Sequence, residues 1–113
     1  MKTEQKLKLV NPSTDKTLRE LPYHLWDEVK TQLTLSGKIQ KEWKKSSIVR
    51  RIELVQSTMN YFKSNVDTIA QDITLQMGKP ISQSKNEVKG TIYRAEICCS
   101  LAEDALKDIP LPE

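Results

Sequence analysis

A chain of 113 residues holds one domain at most. With 37% apolar residues, six aromatics and a mean hydropathy of −0.56, it is lean for a self-sufficient globule and too patterned for a disordered chain. Its net charge is +3, and the basic residues bunch at Lys38, Lys41, Lys44, Lys45, Arg50 and Arg51 without the interleaved aromatics or glycines of a nucleic-acid footprint, so a solvated helix face is expected there and no nucleic-acid partner.

Residues 6–22 read as a small hairpin. Leu7 and Leu9 alternate with lysines, Asn11-Pro12-Ser13-Thr14-Asp15 supplies the turn, and Thr17 to Leu21 run back before Pro22 closes the second strand. Two strands alone are marginal in water, so the hairpin needs something to lie on. A first helix is expected over about 26–44, with Val29, Leu33, Ser36, Gln40 and Trp43 on one face. That face is thin, Gly37 weakens the interior by about 1 kcal/mol relative to Ala, and Leu25 has no side-chain acceptor with which to cap the free N–H groups. Trp26 and Leu35 fall off the face.

The next stretch carries the clearest periodicity. Ile48, Ile52, Val55, Met59, Phe62, Val66, Ile69, Ile73 and Met77 recur at three and four residues, a continuous apolar stripe. Ser47 is the expected N-cap. Arg50 and Arg51 oppose the helix dipole in the first turn, which points to at least one of them being held for a partner. Asn60, Ser64, Asn65 and Asp67 predict a break near Ser64, with Ser64 and Asp67 as an acidic capping box, giving helices over about 47–63 and 65–77. Gly78 then suits a left-handed C-terminal cap and Pro80 the start of a new helix. A last helix is expected over about 81–107, with Ile81, Val88, Ile92, Ala95, Cys99, Ala102 and Leu106 as its stripe and Gly90 interrupting it. Pro110 and Pro112 end it in an extended segment that reads as a cut rather than a finish.

Chemistry-bearing residues are sparse. His24 is the lone histidine and reads as a loop residue; one His and two neighbouring Cys do not make a tetrahedral metal site. Cys98 and Cys99 have no nearby histidine or helix N-terminus to activate a thiol and read as small packing residues; adjacent helical positions point about 100° apart, so a bridge between them is not expected. Free thiols suit a reducing cytoplasm. Lys79 is placed to offset the dipole of the preceding helix, and Glu87 and Glu96 fall on different faces. Gly37, Gly78 and Gly90 are too far apart for a phosphate loop. The charged stretch Met1 to Lys8 does not read as a secretory signal, and no apolar run approaches the roughly 20 residues of a membrane span, so no membrane partner is expected. On the residues alone, no catalytic, cofactor-binding or metal site is expected.

Three landmarks in order resemble the opening of an aldehyde dehydrogenase: Asn11-Pro12-Ser13-Thr14-Asp15, then Trp43 with Ser47, Arg51, Ile52 and Leu54, then Ile73-Thr74-Leu75-Gln76-Met77-Gly78-Lys79-Pro80 followed by Glu87-Val88. They cover the chain from about Leu9 to Leu106. Asp15 stands where the family turn has glycine, Gln76 where it has Glu, Gln40 where it often has an aromatic and Leu25 where it often has a cap. The resemblance implies a mainly α chain with a short N-terminal β-hairpin, a partial N-terminal piece of an α/β aldehyde dehydrogenase fold that packs on a cofactor-binding domain. It implies that the family's catalytic Cys, general-base Glu, oxyanion-binding Asn and dinucleotide-binding core lie beyond this chain, Cys98 and Cys99 matching none of them. NAD or NADP would then be the parent's cofactor, none would be bound here, and the isolated chain would be inactive. It further implies that Glu87, Gly90 and Thr91 belong to the wall of the parent's substrate-entry tunnel. The partner expected is the remainder of a dehydrogenase or a full-length relative.

Overall fold

A computed structural model of the chain describes residues 6–111. Strands β1 (Lys6–Val10) and β2 (Thr17–Pro22) pair antiparallel, Leu7 opposite Leu21 and Leu9 opposite Arg19, with a register shift between Leu9 and Val10. The turn is built on Asn11. Its side-chain oxygen accepts from the Ser13 N–H at 2.9 Å, its carbonyl accepts from Thr14 and Asp15, and its own N–H donates to the Lys16 carbonyl. That local pairing lets a polar residue be buried at the turn. Asp15 takes φ +55°, a left-handed conformation that aspartate tolerates better than most residues.

Helix α1 (Trp26–Trp43) begins with half of a capping box: the Glu28 carboxylate accepts from the Leu25 N–H at 2.8 Å, and Leu25 offers nothing in return. Asp27 and Glu28 complement the dipole in its first turn. No residue of α1 is buried, and Leu33, central to its expected face, is 62% exposed. The face is formed but unmet, because among the described residues no element packs along it.

Helices α2 (Ile48–Ser64), α3 (Val66–Met77) and α4 (Ile81–Ala105) make the packed part, with α4 lying along both α2 and α3. The Ser47 hydroxyl accepts from the Arg50 N–H and caps α2. The break falls at Asn65, whose side-chain amide donates to the Tyr61 carbonyl at 2.8 Å. Ser64 is the last residue of α2, so the expected Ser64–Asp67 capping box does not form; the Asp67 carboxylate instead meets Lys85 on α4 at 2.7 Å. The long stripe continues in line across the break, and Met59, Phe62, Val66, Ile69 and Ile73 surround a small core of Ala70, Val88 and Ile92. Val55 and the end residue Met77 stay exposed, as do Ile81 and Leu106 at the ends of the α4 stripe.

Gly78 has φ +71°, donates its N–H to the Thr74 carbonyl and ends α3 in a left-handed cap. The Pro80 carbonyl accepts from Gln83 and Ser84 and opens α4. The hairpin turn rests on this corner: the Ser13 hydroxyl donates to the Gly78 carbonyl at 3.3 Å, and a Cβ on Gly78 would lie 2.8 Å from Pro12 Cγ and from Ser13 Oγ. Residues 65 apart in sequence thus meet where neither partner has spare volume.

Candidate functional site

The three residues that the resemblance assigns to a tunnel wall sit on the second and third turns of α4. Glu87 does not stand free. Its carboxylate is 2.6 Å from the Lys79 ammonium, so Lys79 reaches forward across the corner rather than back to the carbonyls of α3. Thr91 lies one turn on and donates its hydroxyl to the Glu87 backbone carbonyl at 2.9 Å. Gly90 shares that stretch, and a Cβ there would meet only the tip of the Arg94 side chain, at 3.4 Å. Glu87 and Thr91 are joined through the helix backbone, and the Glu87 charge is balanced by Lys79.

His24 lies on the exposed loop before α1, its Nδ1 3.4 Å from the Glu28 carboxylate. Cys98 is exposed and Cys99 half-buried, both unbridged. Among the described residues no group of three or more His, Cys, Asp and Glu is placed to hold a metal ion. The Asp67 carboxyl is held below the usual carboxylate range, first by its hydrogen bond to Lys85 and then by the Lys85 charge. That is a strut between α3 and α4 at a solvent-facing position. Glu96 on α4 forms another with Lys63 on α2, at 2.6 Å.

Three contacts escaped the sequence reading. Arg51 is held inside the chain: its Nη2 donates to the carbonyls of Trp43 and Lys44 at 3.3 and 3.1 Å, its Nε donates to Ser46 Oγ at 3.0 Å, and its guanidinium lies 5.4 Å from the Trp43 ring. A cation on the carbonyl end of α1 is favourable where the same charge at the N-terminal end of α2 is not, so the misfit arginine is resolved by the neighbouring helix. Arg50 pairs with Glu53 one turn along. Ser84 is fully buried and shares a 2.8 Å hydrogen bond with Thr74, which ties α4 to α3. Periodicity could have found Ser84, four residues before Val88; its polarity hid it. The Ser13–Gly78 contact had no signal in either motif alone.

What these elements offer is apolar surface. A groove of about 490 Å³ opens between the start of α2 and the end of α4, lined by Ile48, Ile52, Val55, Cys99, Ala102 and Leu106, with Arg51 at its edge. Such a groove suits an apolar side of another protein segment.

The aldehyde dehydrogenase family model matches residues 1–112. Among curated relatives, a succinate semialdehyde dehydrogenase [NAD(P)+] of Escherichia coli strain K12 is 31% identical over 94 residues, 83% of this chain and 20% of that one. A probable methylmalonate-semialdehyde/malonate-semialdehyde dehydrogenase [acylating], mitochondrial, of Anopheles gambiae is 28% identical over 100 residues, 88% of this chain and 19% of that one. This chain therefore spans about a fifth of the length of these relatives. The crystal structure of the glyceraldehyde-3-phosphate dehydrogenase GapN of Methanocaldococcus jannaschii complexed with NADP superposes on all of this chain and 24% of its own, with a TM-score of 0.84 and 19% identity. That of a putative aldehyde dehydrogenase of Bacillus subtilis covers 99% and 25%, with a TM-score of 0.80 and 21% identity. The family model's match to residues 1–112 shows that the chain belongs to the aldehyde dehydrogenase family, and the two solved structures share its fold.

Proposed function

We propose that this chain is the N-terminal segment of an NAD(P)-dependent aldehyde dehydrogenase and does no chemistry by itself. The observation that carries this reading is uncovered surface. The chain exposes 9894 Å², against about 6,300 Å² for a compact protein of its mass. The excess is of the order buried in permanent interfaces. The groove between α2 and α4 and the unmet face of α1 are part of it, and both fit a segment that completes its burial on a larger body.

The parent reaction is oxidation of an aldehyde to a carboxylic acid. A cysteine thiolate adds to the carbonyl, hydride passes to NAD or NADP, and water releases the acid. Cys98 has no base beside it, and Cys99 faces α2, so neither is assigned as that nucleophile. In the parent, Glu87, Gly90 and Thr91 would contribute to the wall of the substrate entrance, with Lys79 holding the Glu87 carboxylate against the helix. The purified 113-residue chain, mixed with NAD or NADP and a panel of short aldehydes, is expected to give no rise in reduced-nicotinamide absorbance. Turnover by the chain alone overturns the reading.

A second reading is favoured by the open groove: the chain as a binding module that docks on a full-length relative or on a separately made remainder. Co-elution of the chain with either supports it, and separate elution at all mixing ratios counts against it. The reducing compartment suggested by the two free thiols, which we propose to be the cytoplasm, is checked by fractionating cells that express a tagged chain.

A further inference from the structure

The chain's positive charge and its barest apolar face occupy the same stretch. Residues 26–51 hold seven of the eighteen Lys and Arg but three of the fifteen Asp and Glu, a net charge of +4 where the whole chain has +3. Both tryptophans lie there too, at the first and last positions of α1. At about 100° per residue, Trp26, Val29, Leu33, Ile39 and Trp43 share an arc of about 140°, with uncharged polar residues between them. Every charged residue of α1 falls outside that arc. Trp26 is 67%, Leu33 62% and Ile39 59% exposed.

The acids of α1 are already occupied. Asp27 pairs with Lys30, Glu42 pairs with Lys45, and Glu28 accepts from the Leu25 N–H. Lys38, Lys41 and Lys44 have no ion-pair partner among the described residues. Lys38 and Lys41 fall on the polar side of the helix, away from the apolar arc, and Lys44 is its C-terminal cap.

We propose that α1 lies flat on a membrane surface that carries anionic phospholipid, its uncharged arc in the boundary between headgroups and acyl chains and its lysines among the headgroups. A helix about 10–12 Å across that sinks its apolar side by about 5–10 Å leaves its polar side at headgroup level. Trp26 and Trp43, about 25 Å apart along the helix, have rings that favour this interface and hold both ends down. Charge and its placement select the bilayer over other occupants. A second copy of the chain would bury the arc but bring the same positive charge with it. An acidic groove on a protein would answer the lysines from the side away from the arc. A bilayer stacks an anionic layer on an apolar one, so a single surface meets both sides of the helix. The contact is peripheral: among the described residues no helix is long and apolar enough to cross a membrane. The inference concerns the chain by itself and does not rest on its reading as a dehydrogenase segment, whose remainder would compete for the same face.

Co-sedimentation with vesicles tests it, and because both tryptophans are on α1, their emission reports on the face directly. Vesicles of phosphatidylcholine with about 30% phosphatidylserine, in about 0.1 M salt, are expected to sediment the chain and shift its tryptophan emission to shorter wavelength. Lipids brominated high on the acyl chain are expected to quench that emission. Vesicles of phosphatidylcholine alone are expected to leave most of the chain in the supernatant. Lys38→Gln and Lys41→Gln are each expected to lower the partition coefficient about fivefold, and Leu33→Ser at least about tenfold. Lys89→Gln, which removes an equal charge from α4, is expected to leave it unchanged. No residue of α1 is buried, so these variants keep the packing of α2, α3 and α4, which circular dichroism verifies. No binding to the anionic vesicles overturns the proposal. So does equal binding to both kinds of vesicle, an equal loss with Lys89→Gln, or sedimentation without a tryptophan shift. A shifted emission without vesicles, together with a mass above 13.0 kDa at sedimentation equilibrium, assigns the face to a second copy and overturns the proposal as well.

Discussion

Gly78 and Gly37 are both glycines beside helical turns, yet their missing Cβ atoms have opposite consequences. At Gly78 a side chain meets two obstacles: φ of +71° and the Pro12 ring and Ser13 hydroxyl 2.8 Å away. At Gly37 a Cβ would touch nothing within 4 Å, so the glycine there contributes only conformational freedom to the unfolded chain. Gly78→Ala is therefore expected to destabilise by about 1–2 kcal/mol from backbone strain alone, and more as the hairpin turn is pushed off the corner. Gly37→Ala is expected to stabilise by about 0.5–1 kcal/mol. Urea unfolding followed by circular dichroism measures both, and a stabilising Gly78→Ala would remove the steric account of the corner. The left-handed cap at Gly78 was readable from its place before Lys79-Pro80. Its second constraint was not, because Pro12 and Ser13 lie in a different motif and only the folded chain brings them near.

At the scale of elements, what the sequence disclosed depended on where each helix finds its partner. The stripe from Ile48 to Ile73 is legible because α2 and α3 bury one side against α4 within the chain. The interruption expected near Ser64 appears one residue on, at Asn65, whose side chain can satisfy the Tyr61 carbonyl. Helix α1 shows the limit. Its pattern correctly indicated a helix, but Leu33 and its neighbours have nothing to pack on, and no periodicity can report that. Its firmest tie is Arg51, which spans the α1–α2 junction through three hydrogen bonds. Arg51→Lys keeps the charge but loses the planar fork that reaches two carbonyls and a hydroxyl at once. We expect Arg51→Lys and Arg51→Ala to speed amide exchange through the last two turns of α1, with a loss of about 1–2 kcal/mol for Ala. Arg50→Ala, which removes a single exposed i,i+3 pair, is expected to change stability by less than about 0.5 kcal/mol.

The whole molecule is long and thin: its radius of gyration is 19.8 Å and its extents are 63 × 41 × 28 Å, where a compact chain of this length has a radius of about 13 Å. Burial is concentrated where α4 crosses α2 and α3, around Ala70, Ser84, Val88 and Ile92. The hairpin adds Asn11 at its turn, and α1 adds no buried residue. Cooperativity follows buried contact, so the chain cannot open as a single unit. Native-state hydrogen exchange is expected to divide it accordingly. Amides of α3 and the middle of α4 should be the slowest and approach the global unfolding free energy. Those of α1 should exchange by local opening, almost independently of denaturant, and those of the hairpin should fall between, retained by the seat of Pro12 and Ser13 on Gly78. A uniform set of protection factors across α1 and α4 would mean that α1 is packed in solution on something this arrangement of helices does not supply.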